Sequence, residues 1–172
     1  MLRRPLARES LPNRRSIRLP EHDYTGPCWY HVTICAACRG RAFGRLVGGA
    51  VILSPVGRVV RDTLHRLPAA LPWIRLDRSI VMPDHIHFLI RIWPAQLLMR
   101  PGASARRFGG SQAGALSLAV NLLKGDVTRL VRQLPGQRGR KLWHRGYHER
   151  IIRTPEQMAA TRAYIRNNPA RG

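Results

Sequence analysis

Ile80-Val81-Met82-Pro83-Asp84-His85-Ile86-His87-Phe88-Leu89-Ile90-Arg91-Ile92 is a β-prone apolar run broken once, at Pro83-Asp84. Branched residues favour extended backbone, and a Pro-Asp pair favours a turn. With Ile74-Arg75-Leu76 upstream, the run reads as two strands, about Ile74 to Met82 and about Ile86 to Ile92. So short a link joins them as an antiparallel hairpin. Side chains alternate faces along a strand, so Ile86, Phe88 and Ile90 form a core-facing row. His85, His87, Leu89 and Arg91 then project from the other face.

Outward from this hairpin, Trp29 to Ala36 reads as an earlier strand, with Tyr30, Val32, Thr33 and Ile34 as β-formers. Pro55 opens a helix in which Val56, Val59, Val60, Leu64 and Leu67 recur at helical spacing up to Pro68. Residues 94–112 hold Pro94, Pro101, Gly102, Gly109 and Gly110 and read as a loop. A long helix over Leu116 to Leu134 is ended by Pro135-Gly136, and Gly136 to Lys141 is a basic turn. Leu142 to Ile152 is expected to be a fourth strand. Thr154 then caps a last helix carrying Met158, Thr161, Tyr164 and Ile165 before Pro169 forbids continuation. The order β-α-β-β-α-β-α fits an α+β, ferredoxin-like antiparallel sheet with helices on one face, followed by a C-terminal helix.

At 172 residues the chain suits one domain with a real core. Residues 1–26, basic and aperiodic, are expected to form a flexible N-terminal arm ahead of a domain over 27–172. Thirty basic residues against nine acidic ones leave a net charge of +21, and all the basic residues but Lys124 and Lys141 are arginine. Such a surface repels itself unless it meets a polyanion, which makes nucleic acid the favoured partner. Arginine adds bidentate phosphate contacts and stacking on bases. No stretch approaches the ~20 apolar residues that cross a bilayer, and the arginine-rich N-terminus lacks the apolar region of a secretion signal. A cytoplasmic protein without membrane contact is expected. Three cysteines do not suggest a disulfide framework. The Cys28, His31, Cys35 and Cys38 spacing imitates a zinc knuckle, but strand alternation turns Cys28 away from His31 and Cys35. Zinc is discounted. His31 is read as a buried, hydrogen-bonded histidine, with a place facing the active site as the alternative.

Two imidazoles side by side on a rigid strand make half of a divalent-metal site. The last helix offers more donors: Tyr164 and Asn168 are four apart and share a helix face. An amide oxygen suits a hard cation such as Mg²⁺ or Mn²⁺. A neighbouring phenol could attack a phosphorus atom held there, with arginines balancing the added negative charge. Tyr147 is a rival nucleophile, read instead as a strand tyrosine that packs or stacks. Glu149 is read as an acid or outer partner of the site, or a surface salt bridge. The four tryptophans are read mainly as core or sheet-edge residues, with one stacking on DNA as a further role.

Three ordered blocks carry a resemblance. Val81-Met82-Pro83-Asp84-His85-Ile86-His87, Leu142-Trp143-His144-Arg145-Gly146-Tyr147-His148-Glu149-Arg150-Ile151-Ile152-Arg153 and Ala163-Tyr164-Ile165-Arg166-Asn167-Asn168-Pro169 resemble the signature blocks of single-tyrosine HUH transposases, the REP-associated tyrosine transposases in particular. Tyr30-His31-Val32-Thr33 is similar to that family's first strand. The resemblance implies a ferredoxin-like nuclease and strand transferase for single-stranded DNA that needs Mg²⁺ or Mn²⁺. It implies His85 and His87 as metal ligands, Tyr164 as the nucleophile that becomes 5′-phosphotyrosyl-linked, and Asn168 as a third, amide ligand. The implied partners are single-stranded DNA hairpins of the repetitive extragenic kind, with phosphate contacts from the arm and from the turn at Gly136 to Lys141. A homodimer is one implied arrangement, because the tyrosine helix in this family can come from a second subunit. The family continues beyond the nucleophile helix, so a chain stopping three residues after Pro169 is expected to be a shortened copy, and the 94–112 insertion is longer than the family pattern. Two rivals keep the same charge: a catalytically inactive nucleic-acid-binding module on the same fold, and a ribonuclease or RNA-binding regulator that has no need of Tyr164.

Overall fold

The computed structural model describes residues 27–37, 40–93 and 114–168. The expected arm over 1–26, the loop over 94–112 and Cys38 lie outside them. Six strands and three helices follow in the order β1 (Cys28–Cys35), β2 (Gly44–Val47), β3 (Ala50–Leu53), α1 (Pro55–Ala70), β4 (Ile74–Val81), β5 (His85–Ile92), α2 (Ala115–Val131), β6 (His148–Ile152) and α3 (Pro155–Asn167). Strands β4-β5-β1-β6 form one antiparallel sheet in that spatial order. Setting β2 and β3 aside, this is the β-α-β-β-α-β ferredoxin-like arrangement that the sequence implied.

Helices α1 and α2 cover one face. Val60 and Leu64 of α1 and Ala119, Leu123 and Val127 of α2 are fully buried against Tyr30, Val32 and Ile34 of β1 and Ile86, Phe88 and Ile90 of β5. The β5 row therefore turns inward as its alternation required. The opposite face carries a much smaller cluster, Leu89, Ile152 and Ile165, joined by Trp29, Ile80 and Met158. Ile165 and Met158 belong to α3, the helix that lies on that side among the described residues. The division matters for function: one face supplies stability, and the other is free to hold polar groups. No helix among the described residues is long and apolar enough to cross a membrane.

Several local expectations are corrected. The hairpin β2–β3, not foreseen, turns at Gly48-Gly49, whose positive φ values of 55° and 73° suit a tight two-residue loop. Helix α1 runs two residues past Pro68, because a proline in the last turn removes only one helical bond and its φ is already helical. The expected strand over Leu142 to Ile152 shrinks to His148–Ile152. Gly146 at φ 79° breaks the extended run, and Trp143 keeps only an isolated bridge to Ala36. The predicted cap forms, Thr154 accepting from the Gln157 N–H at 3.3 Å, and Ser54, not foreseen, caps α1 by accepting from the Gly57 N–H at 3.0 Å.

Candidate active site

Strand register converts the α3 face into rows of side chains, since directly paired antiparallel residues project the same way. One row reads Ile80, His87, Thr33, His148 across β4, β5, β1 and β6. The next reads Arg78, Leu89, His31, Arg150, and the one after it Arg75, Arg91, Trp29, Ile152. His85 lies one step to the other side of His87. Leu89 and Ile152 receive Ile165, so the last turns of α3 are pinned directly above these rows and Tyr164 is carried to their edge.

The structure brings His85, His87 and Tyr164 together. The two imidazole rings meet edge-on with centroids 4.6 Å apart, and the Tyr164 ring stands 5.2 Å from that of His87. The Tyr164 hydroxyl is 3.5 Å from His87 Nε2, and the tyrosine remains 39% exposed, open to an incoming ligand. Each histidine is oriented through its other nitrogen. His85 Nδ1 donates to Asp84 Oδ1 at 2.7 Å, and His87 Nδ1 lies 2.9 Å from the Thr33 hydroxyl. The Asp84 carboxylate can only accept, so His85 Nδ1 carries the proton and its Nε2 keeps the lone pair; the Thr33 hydroxyl fixes the His87 ring and favours the same tautomer when it accepts, the arrangement that metal-binding histidines use. Burial, reinforced by repulsion from His85 and His31, pushes the His87 pKa down to about 3, so this ring is neutral at physiological pH.

Other predicted residues fall differently. Asn168 is buried at the end of α3, one turn beyond Tyr164. Among the described residues the imidazole partners are Asp84, Thr33 and Tyr164, not Asn168. His31 takes the alternative reading and faces this site, its ring 5.2 Å from His87 and 5.8 Å from Tyr164, while its buried Nε2 has no hydrogen-bond partner among the described residues, against the hydrogen-bonded expectation. Burial, with Arg150 adding to it, holds the His31 pKa below the usual imidazole range. Tyr147 precedes β6 instead of lying in it and bonds the Ser117 hydroxyl at 2.9 Å on the α2 side, which removes it as a rival. Glu149 pairs with Val32 and so lies on the helix-covered face, away from the histidines.

Three contributors were not foreseen. Asp84 stood in the quoted turn, and its adjacency to His85 was the available signal. Thr33 reaches His87 only through the β1–β5 register, which no local pattern announces. Asp77, at a bulge in β4, forms a two-pronged ion pair with Arg162 of α3 at 2.9 and 2.6 Å, a second tether for the tyrosine helix.

Among the described residues no group of three or more His, Cys, Asp or Glu is placed to hold a metal ion. The histidine pair could thus give a cation two nitrogens, and the rest of its shell would have to come from other donors, such as an amide, water or phosphate oxygen.

No family model matches the chain. It is 30% identical over 166 residues to an uncharacterized protein of Haemophilus influenzae, covering 91% of this chain and 88% of the relative. A solved structure of a REP-associated tyrosine transposase bound to a REP hairpin superposes with a TM-score of 0.59 at 14% identity, covering 90% of this chain and 73% of that one. At that identity the likeness establishes the fold.

Proposed function

The chain belongs to the family of the Haemophilus influenzae protein, and we propose that it is a metal-dependent endonuclease and strand transferase for single-stranded DNA at hairpin-associated sites. The observation that carries this reading is the 3.5 Å approach of the Tyr164 hydroxyl to His87 Nε2, beside a second imidazole oriented the same way. The three blocks that resemble single-tyrosine HUH transposases support it, as does the fold shared with a REP-associated tyrosine transposase.

His85 and His87 fit a Mg²⁺ or Mn²⁺ ion through their Nε2 atoms, with Asn168 as a further amide donor. Such an ion, when bound, polarises a phosphoryl group and balances the charge added by attack. Tyr164 supplies the nucleophile. Its oxygen bonds to phosphorus, the bond from phosphorus to the 3′ oxygen breaks, and the departing oxygen takes up a proton as the phenol's proton passes to solvent. The 5′-phosphotyrosine retains the energy of the broken diester, so attack by a 3′-hydroxyl rejoins the strand. The excess of arginine holds the DNA through its phosphates.

The test is covalent trapping with Mn²⁺ and a panel of single-stranded hairpins built from repetitive extragenic sequences, read on a denaturing gel. A protein–DNA band that disappears in Tyr164→Phe is expected, and His85→Ala should remove cleavage while sparing hairpin affinity. Cleavage surviving Tyr164→Phe overturns the assignment of the nucleophile, and binding without cleavage under every metal points to an inactive binding module.

A further inference from the structure

Beyond Leu89, the α3 face ends in a second cluster that the cleavage chemistry does not use. Arg75 of β4 and Arg91 of β5 are directly paired in the sheet. Two like charges at paired positions repel each other, a destabilising arrangement in an isolated sheet. Among the described residues neither has an acidic partner: the ion pairs involve Arg61, Arg78, Arg129, Arg162 and His85 instead. Arg91 is flanked by aromatic rings, its guanidinium carbon 4.7 Å from the Trp93 ring centre and 6.0 Å from that of Trp29. Both indoles are only partly buried, and Arg75 is exposed. A cationic pair with no counter-charge, beside partly exposed indoles, combines the two elements that hold unpaired nucleic acid: positive charge for the backbone and a π-face for the bases.

We propose that Arg75, Arg91 and Trp93 form a docking platform for single-stranded DNA, separate from the histidine–tyrosine centre. His87 and Arg91 are four residues apart on one strand, which at ~3.3 Å per residue puts the platform about 13 Å from the scissile position. A strand leaving the tyrosine centre and passing around α3, which covers Leu89, would meet the platform a few nucleotides later. Phosphates then sit between the two guanidinium groups and replace their repulsion with attraction, while a base stacks on Trp93. The platform rests on the single-strand reading for its partner, yet it needs neither metal nor hairpin.

The experiment uses the full chain and a fluorescent 20-nucleotide oligo-dT, which forms no hairpin, in EDTA so that no cleavage intervenes. Anisotropy is followed from 50 to 300 mM NaCl for the wild type, Arg75→Gln, Arg91→Gln, Trp93→Leu and, as a control for bulk charge, Arg61→Gln on α1. Each platform arginine should lower the salt slope by about 0.7. Trp93→Leu should weaken binding roughly 5- to 100-fold with an unchanged slope. Salt slopes for Arg75→Gln and Arg91→Gln no lower than that of Arg61→Gln overturn the proposal, as does oligo-rU binding more tightly than oligo-dT. Arg75 is exposed, so its variant tests the idea even where Arg91→Gln disturbs packing. Loss of platform binding with trapping intact, or the reverse, separates failure of this proposal from failure of the cleavage reading.

Discussion

The tyrosine helix is held by few contacts, and that makes its docking measurable. Of the thirteen residues of α3, only Thr161 and Ile165 are buried, and Ile165 is 2% exposed in the small cluster with Leu89 and Ile152. A helix this short is marginal in water, so its order depends on that contact. Ile165→Ala removes three buried carbons, worth about 2.5 kcal/mol in transfer terms, with a cavity penalty that takes such changes into a range of about 2–5 kcal/mol. The main core, on the other face, is untouched. Hydrogen exchange should therefore show α3 amides losing protection by roughly 70-fold or more, while β1 and β5 amides, in the core of the sheet, keep theirs. Covalent trapping should fall with the α3 protection. Val60→Ala, within the main core, is the comparison and should lower protection throughout. The reasoning is refuted if Ile165→Ala lowers sheet and helix protection equally, which would make α3 part of one cooperative unit, or if α3 protection does not change.

Three further outcomes follow from the site. His87 has a folded pKa near 3 against an unfolded value near 6.5, so the fold disfavours its charged form. Stability is full above the unfolded value and declines as pH falls below it; from pH 7 to pH 5 in EDTA, this group alone removes about 2 kcal/mol. Urea titrations should show that part of the acid sensitivity vanish in His87→Gln, and an unchanged pH profile contradicts it. Replacing the atoms that orient the rings, in Asp84→Asn or Thr33→Val, should weaken Mn²⁺ binding by about 10- to 100-fold by calorimetry, with the circular dichroism spectrum preserved. Unaltered affinity in both refutes the orienting role. Finally, Asp77→Asn should reduce trapping with little loss of melting temperature, and the double exchange Asp77→Arg with Arg162→Asp should restore it; no rescue means that the pair does not position Tyr164.

The hairpin around Pro83-Asp84, the strand faces of β5 and both capped helices could be read from local pattern because each depends on residues within one or two turns. Ile86, Phe88 and Ile90 announced the core face, and with them the side on which His85 and His87 had to lie. What escaped depends on distant pairing. Thr33 belongs to the site only because β1 lies beside β5 in one register, and that same register decides between the two readings of His31 by turning it toward Tyr164. The shortened β6 was hidden because Trp143, Tyr147, Ile151 and Ile152 keep a strand-like composition across Gly146, whose positive φ breaks it. Gly48-Gly49 was the signal for β2–β3, but the flanking segments are only four residues each.

Most of the residues that resist a structural explanation share one face. The helix-covered side, the buried Thr63 hydroxyl of α1 apart, obeys ordinary core rules, with aliphatic and aromatic side chains packed to near-zero exposure. On the other side stand an unpartnered His31 Nε2, a neutral His87 beside a second imidazole, and paired arginines without a counter-charge among the described residues. Each works against stability, by unmet hydrogen bonding, by desolvation or by like-charge repulsion. Local rules broken together on one surface mark the place where a fold has been shaped for a ligand. On the proposed function, a phosphodiester strand would relieve much of this strain: its oxygens would oppose the arginines, and His85 and His87 would hold the cation. On that reading the platform and the tyrosine centre would be two parts of one demand for a polyanion, on a sheet whose other face already secures the fold.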